Sequence, residues 1–471
     1  MIKIDDSIIR TIGEEHLKAA KNIIQESIAK FKYKDLSKSY VYVVKNKTVE
    51  FNSKYKRIIE RLLGAEIKCY GGNVSLKFNN DINIKSIILG NINKTINDYF
   101  KIIEDEYKEN IKISSILKIN YEMKQVIAKI NKPIINKSAQ QVNEIRESII
   151  EEFIDSYKDV IYKVINEDFF NKHKIKEKNK FSKIISNKEI FEKNFKLKDE
   201  CVRQIEEYKK INEVLKYIFN YERLCEGVSI KENENTFSWD RHKLISKMGF
   251  ITCPYCNRQY ITSYKDKNKG NKTTADLDHF YSKGEYPFLA LSLYNFIPSC
   301  QICNSRFKIS KDFYYEPHAY PYEDEFGEYA RFKTEFYTDD DIERKENTEV
   351  LTQNDRYDIS YLLGNSDNFK IEIEIEQFKG DMNSKIQNSI DTFRLEELYN
   401  FHKDYVRELI KKAIIYNESR IDELYIQYPE LFSSREEVVR MVASNYIDNN
   451  DLGKRPLAKL TKDVCEELGL K

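Results

Sequence analysis

The stretch Cys300–Lys308 reads "CQICNSRFK", and a matching "CPYC" stands upstream at Cys253–Cys256. Two C-x-x-C units close a tetrahedral zinc site when each turn points its sulfurs inward. A single pair also suits a redox dithiol, but two pairs in one segment favour zinc over four unrelated buried thiols. Four sulfur ligands leave no open coordination position. Zn2+ held this way is therefore expected to be structural, and any chemistry must use another centre. The 43 residues between the pairs, Asn257–Ser299, exceed an ordinary zinc-ribbon spacing, so something is expected to fold between them.

That interval contains "ADLDHFYSKGEYPF", Ala275–Phe288. Adjacent strand residues point to opposite faces, so Asp278 and His279 are expected to approach one phosphate from different sides, one through a metal and one through water. Neutral imidazole accepts a proton near physiological pH, which suits a general base. Asp276 shares the face of Asp278 and stays outside the core site, as support for the metal or as a turn cap.

"CPYCNRQYI", "DLDHF" and "LYNFIPSCQICNSRFK" together resemble the zinc-containing HNH endonucleases, and most closely the HNH nucleases of bacterial anti-phage systems of the Septu and retron-associated types. The likeness covers the middle module, with a fainter echo in the tail "RPLAKLTKDVCEELGL". It implies a ββα-metal fold braced by the four-cysteine zinc. Carried over residue by residue, it makes His279 the general base and Asp278 a metal-binding carboxylate. It makes Asn295 the central asparagine that steadies the loop around the base, and Asn304 the final metal ligand, an H-N-N variant. Oxygen ligands of this kind suit Mg2+, with Mn2+ as substitute. The resemblance also implies DNA as substrate and products ending in 5′-phosphate and 3′-hydroxyl. In Septu-type systems the nuclease works with an ATPase. This chain carries no G-x-x-x-x-G-K-[ST] loop, so an ATPase would be a separate subunit.

The rest of the sequence frames the module. With 471 residues, 41% hydrophobic and 33% charged, the chain is expected to fold into two or three globular domains of an α+β, predominantly α-helical protein. The expected divisions are a mostly helical regulatory or partner-binding domain over 1–236, the HNH module over 237–332, and a mostly helical domain over 333–471. "YVYVVKNKTVEF" (Tyr40–Phe51) predicts a hairpin turning at Lys45–Lys47, and "NVSLKF" predicts a further strand. In "CVRQIEEYKKINEVLKYIF", Val202, Ile205, Tyr208, Ile211, Val214, Leu215 and Ile218 fall on one helical face. "SIKENENTFSW" (Ser229–Trp239) reads as a linker, "TDDDIERKENTE" as an acidic loop and "FKIEIEIEQF" as a strand. Cys69, Cys201, Cys225 and Cys465 are expected as buried thiols. Early acids, no leading apolar segment and no apolar run of about 18 residues point to a cytoplasmic protein without membrane spans.

The net charge is only +1, so a nucleic-acid partner needs a local basic surface. From Arg241 to Asp312 there are 12 Lys or Arg against 5 Asp or Glu. Arg258, Arg306, Lys308 and the loop Lys265–Lys272 are the expected contacts to backbone phosphate. Tyr255, Tyr260, Phe280, Tyr281 and Tyr286 suit either base stacking or, more readily, a small core. His242 and His318 read as packing or surface residues. The expected function is a metal-dependent DNA endonuclease acting in anti-phage defence. A catalytically silent zinc-stabilised nucleic-acid-binding adaptor and an RNA- or tRNA-cleaving nuclease are the alternatives.

Overall fold

The computed structural model describes all residues except 5, 36, 46, 110, 135–136, 166–195, 233–234, 268–269, 338–357, 377–379 and 471. The fold is α+β and 55% helical. The expected acidic loop starting at Thr338 lies outside the described residues. Two compact units emerge, one of Met1–Ala19, Tyr221–Ser282 and Leu293–Lys471, the other of Ala20–Asn220 and Lys283–Ser292. The threefold division expected from sequence is corrected accordingly. Its boundary after 236 cuts the strand Asn235–Trp239, and its boundary after 332 cuts the strand Ala330–Glu335.

The second unit is built on a five-stranded antiparallel sheet in the order β3-β2-β1-β5-β4, where β1 is Lys32–Lys34, β2 Ser39–Val44, β3 Lys47–Phe51, β4 Ala65–Tyr70 and β5 Asn73–Phe78. The hairpin and the "NVSLKF" strand fall where the alternation places them. Cross-strand aromatics close the core, with Tyr40 stacked on Phe51 at 4.5 Å. The helix Ser53–Leu63 starts at Asn52, whose side chain accepts from Lys54 N and Tyr55 N, and stops at Gly64 with φ 62°. That left-handed turn is open to glycine without steric cost. The helix Asp199–Ile218 buries Ile205, Tyr208, Ile211, Val214, Leu215 and Ile218 as predicted, but its core face begins with Cys201, and Val202 is exposed. Segment 283–292 packs into this unit: Asn212 Nδ2 donates to Glu285 O at 3.0 Å, and Phe288 meets Tyr99 at 4.3 Å.

The first unit holds both cysteine pairs. The expected linker is instead a hairpin of β6 (Val228–Glu232) and β7 (Asn235–Trp239), ending in the fully buried Trp239. Its polar composition conceals a strand pair because its apolar residues, Ile230 and Trp239 among them, face inward. After the helix Arg241–Met248 come β8 (Ser263–Asp266) and β9 (Gly270–Thr273), a hairpin that carries the basic Lys265–Lys272 segment. Next are β10 (Asp276–His279) and β11 (Phe296–Ser299). Finally β12 (Ala330–Glu335) pairs with β13 (Lys370–Ile375), where Ile371 and Ile373 are buried as the alternation predicts. Six α-helices and two short 3-10 helices are described between Met382 and Glu467.

Among the remaining cysteines, Cys201 and Cys465 are buried, Cys225 is half-buried, and Cys69 is exposed at the edge strand β4, against expectation. No helix among the described residues is long and apolar enough to cross a membrane.

Candidate active site and cysteine cluster

Backbone N–H groups aimed at sulfur build both knuckles. Arg258 N donates to Cys256 Sγ and Cys303 N to Cys300 Sγ, each at 3.4 Å. The four Sγ atoms are buried and lie within 4.8 Å of one another. Cys256 and Cys300 stand 3.9 Å apart. Disulfide sulfurs would be about 2.05 Å apart, whereas four ligands about 2.3 Å from a central zinc stand about 3.8 Å from each other. Burial pushes the Cys253 thiol up, while hydrogen bonds from the other three cysteines hold Cys300 far down. The donor set is compatible with a structural zinc.

Between the knuckles, β10 and β11 pair antiparallel with His279 opposite Phe296 and Asp278 opposite Ile297. The chain then forms a turn, Ile302–Lys308, wound wider than an α-helix: Ile309 N donates to Asn304 O, five residues back, at 3.2 Å. Such π-type turns are rare and concentrate at functional sites.

Asn295 is fully buried and clasps the chain just past His279. Its Oδ1 accepts from Tyr281 N at 2.8 Å, its Nδ2 donates to Tyr281 O at 3.0 Å, and its backbone oxygen accepts from Phe280 N at 2.8 Å.

Strand alternation puts Asp276 and Asp278 on one face, and each meets a residue of the wide turn. Asn304 Nδ2 donates to Asp276 Oδ2 at 3.0 Å. Lys308 Nζ donates to Asp278 Oδ1 at 2.9 Å, to Oδ2 at 2.7 Å, and to the backbone carbonyl of His279. The spacings agree: two residues along a strand advance about 6.8 Å, and side chains four apart on a helix stand about 6 Å apart. Tyr255, inside the first knuckle, donates its hydroxyl to Asp278 Oδ2 at 2.7 Å.

These contacts correct three expectations. Lys308 is no phosphate contact: it is 3% exposed, lies 4.7 Å from the Phe313 ring centre, and burial pushes its ammonium below the usual lysine range. Asp278 does not fit as a ligand to Mg2+ or Mn2+, because an ammonium already bridges both of its oxygens. Asn304, expected to share an ion with Asp278, bonds to Asp276 instead. Arg306 is exposed, as a phosphate contact requires. Arg258 is turned toward the C-terminal helices, its Nε 3.1 Å from His402 Nε2 and its guanidinium over Tyr399.

His279 is 8% exposed, with its ring edge-on to Tyr221 at 4.6 Å and Phe296 at 5.0 Å. Behind Phe296 lies His16, which accepts from Trp239 Nε1 at 3.1 Å. Tyr255, Phe280 and Tyr281 are core residues, Tyr286 is buried in the second unit, and Tyr260 alone of the five is exposed, at 54%. His318 packs flat on Phe313, and burial pushes it down to about 4. Half-buried His242 is also pushed down by burial and by the neighbouring Arg241 and Lys272 charges.

The tail joins the same assembly through Asn257, the residue after "CPYC". Asn257 O accepts from Leu457 N at 2.6 Å, its Oδ1 accepts from Lys459 N at 3.0 Å, and its Nδ2 donates to Leu452 O at 3.0 Å. It thereby supplies the cap that the helix Ala458–Glu467 lacks in its own sequence. Tyr221 carried no sequence signal for its place over His279, and Tyr255 had one only through its position inside a knuckle.

Comparison of the chain with known protein families, with curated proteins and with solved structures finds no match.

Proposed function

We propose that this chain is an endonuclease of the zinc-containing HNH type that hydrolyses DNA phosphodiester bonds, with His279 as general base and a structural zinc on Cys253, Cys256, Cys300 and Cys303. One arrangement carries the reading: a histidine at the end of β10, set between two cysteine knuckles, with the chain just past it clasped by Asn295. In this reading the imidazole takes a proton from water attacking phosphorus, the P–O3′ bond breaks as the new P–O bond forms, and the departing 3′ oxygen takes up a proton from solvent. Exposed Arg306 and the lysines of the β8–β9 hairpin hold the backbone without reading sequence. Tyr221 must swing aside before a phosphodiester reaches the ring. A role in bacterial anti-phage defence beside a separate ATPase subunit extends the proposal on resemblance alone.

The covered histidine and the ammonium on Asp278 favour a second reading, a zinc-stabilised adaptor without catalysis. Purified protein incubated with plasmid DNA in Mg2+ or Mn2+, beside His279→Ala, separates the two. Cleavage by the parent alone supports the nuclease, and cleavage by neither supports the adaptor. Cleavage of RNA but not plasmid moves the substrate to RNA.

A further inference from the structure

The resemblance assigns Asp278 to a divalent cation, and the structure gives that carboxylate to a lysine. We propose that Lys308 is a positioning residue: its ammonium, in place of a metal ion, balances Asp278 and, through its bond to the adjacent carbonyl, fixes the backbone that carries His279.

The geometry is closed on every side. Lys308 Nζ reaches both oxygens of Asp278 and the His279 carbonyl, which matches the three donors of an ammonium. Side-chain exposure is 4% for Lys308 and 6% for Asp278, so neither charge is solvated from outside. Apolar rings complete the enclosure, with Phe313 at 4.7 Å and Phe280 at 5.9 Å from Nζ. A buried carboxylate left alone is costly, and a buried lysine left alone equally so, which makes each the condition for the other. Tyr255 adds a third hold on Asp278 from inside the first knuckle. The knuckle thus reaches His279 by a chain of contacts, Tyr255 to Asp278 to Lys308 to the His279 carbonyl, in which no cysteine approaches substrate. The wide turn matters here because Asn304 and Lys308 lie on one face of it, each opposite an aspartate of β10.

The meaning given to His279 rests on the nuclease reading, but the pairing does not. The test therefore uses readouts that need no turnover. Full-length zinc-loaded protein is prepared as the parent, Asp278→Asn, Lys308→Met and the double variant. Thermal unfolding and the imidazole 1H–15N spectrum are recorded for each, the His279 signals being assigned by their loss in His279→Gln. Each single variant is expected to melt roughly 10 °C below the parent, and the double variant to recover at least half of that loss, because asparagine still accepts from Tyr255 and neither the Asp278 carboxylate nor the Lys308 ammonium stays behind without the other, Asp312 losing only a weaker interaction with Lys308. In the double variant the His279 signals are expected to stay displaced from their parent positions. A double variant that melts no higher than the worse single variant overturns the pairing. Parental His279 signals in the double variant overturn the positioning role and leave a merely structural pair. If a single variant does not fold, the double variant and the parent still decide both points. Mn2+ titration followed by electron paramagnetic resonance adds an independent arm. Asp278→Asn is expected to bind as the parent does, and an affinity loss of about tenfold, one ligand's worth, overturns the proposal. Absent plasmid cleavage with these outcomes intact counts against the nuclease reading only.

Discussion

Among the described residues, two lysine–aspartate pairs are buried in the cysteine-bearing unit, and they are built differently. Lys459 and Asp463 stand one turn apart on a single helix, 2.6 Å from each other and 1% exposed. Their remaining partners are the Gly327 carbonyl and the Phe332 N–H, so the pair pins β12 to the last helix. Burial pushes the Asp463 carboxyl up and the Lys459 amine down. Lys308 and Asp278 belong to different elements, and their shared neighbour is the backbone of His279. The same chemistry fastens in one place and aims a side chain in the other. Damage to the tail pair should therefore register in stability alone, and damage to the second should register at the imidazole as well.

The strongest way to break the contrast is to remove what both pairs depend on. Tyr255 and Asn257 leave the first knuckle in two directions, one toward Asp278 and one toward the tail helix. Structural zinc contributes about 10 kcal/mol or more to small sites of this kind. Cys300→Ser, or chelation of the parent, is expected to abolish the folded yield and the near-ultraviolet dichroism, while elemental analysis of the parent finds about one zinc per chain. A Cys300→Ser protein that folds normally would remove the structural role.

Lys459→Met isolates the fastening pair. It removes the ammonium hydrogen-bonded to buried Asp463 and leaves only the more distant Lys462 charge, at a cost of up to about 3–5 kcal/mol in denaturant unfolding. The His279 resonances are expected to hold their positions. If they move, the tail pair also aims the site and the comparison collapses.

A third measurement uses pH. His318 titrates near 4 in the fold, below its unfolded value of about 6.5. Its contribution is fully present above about pH 6.5 and is lost as pH falls through about 4, amounting to about 3 kcal/mol. Stability curves of the parent and His318→Gln are expected to converge across that window. Parallel curves would place the acid sensitivity elsewhere.

Smaller effects follow at the edges of each pair. Asn257→Ala removes two side-chain bonds to the tail, costing about 1–3 kcal/mol, and limited proteolysis should then release the last helix earlier. Tyr221→Ala loses the ring's packing on His279 and Phe296, a stability cost of about 1–3 kcal/mol, and should speed modification of His279 by diethyl pyrocarbonate. An unchanged rate would mean that Tyr221 does not cover the ring.

Much of this was legible in the sequence, for reasons of spacing. The four cysteines cluster because C-x-x-C turns converge locally, and β5, β13 and the helix Asp199–Ile218 follow directly from alternation or helical period. Asn295 stands against the loop it was expected to steady. What spacing does not encode is depth. Lys308 reads, with Arg306, as a phosphate-binding cation beside Asn304, and Asp278 together with the rings of Phe280 and Phe313 turns it inward. The sequence places Asp278 in the metal site and Asp276 beside it on the same face of "DLDH", but the wide turn opposite them decides which takes the amide and which the ammonium. The hairpin at Val228–Trp239 was missed because a polar strand pair with few inward residues resembles a loop.

The wide turn at Ile302–Lys308 carries a lesson for reading other chains. On an ordinary α-helix residues three and four apart both share a face, so in a chain wound that way the lysine that answers the second aspartate can stand either three or four places past the asparagine. A pattern with a rigid gap between these two residues would pass over chains wound the other way. The interval should be allowed to flex by one, and the partner to check is the carboxylate immediately before the histidine.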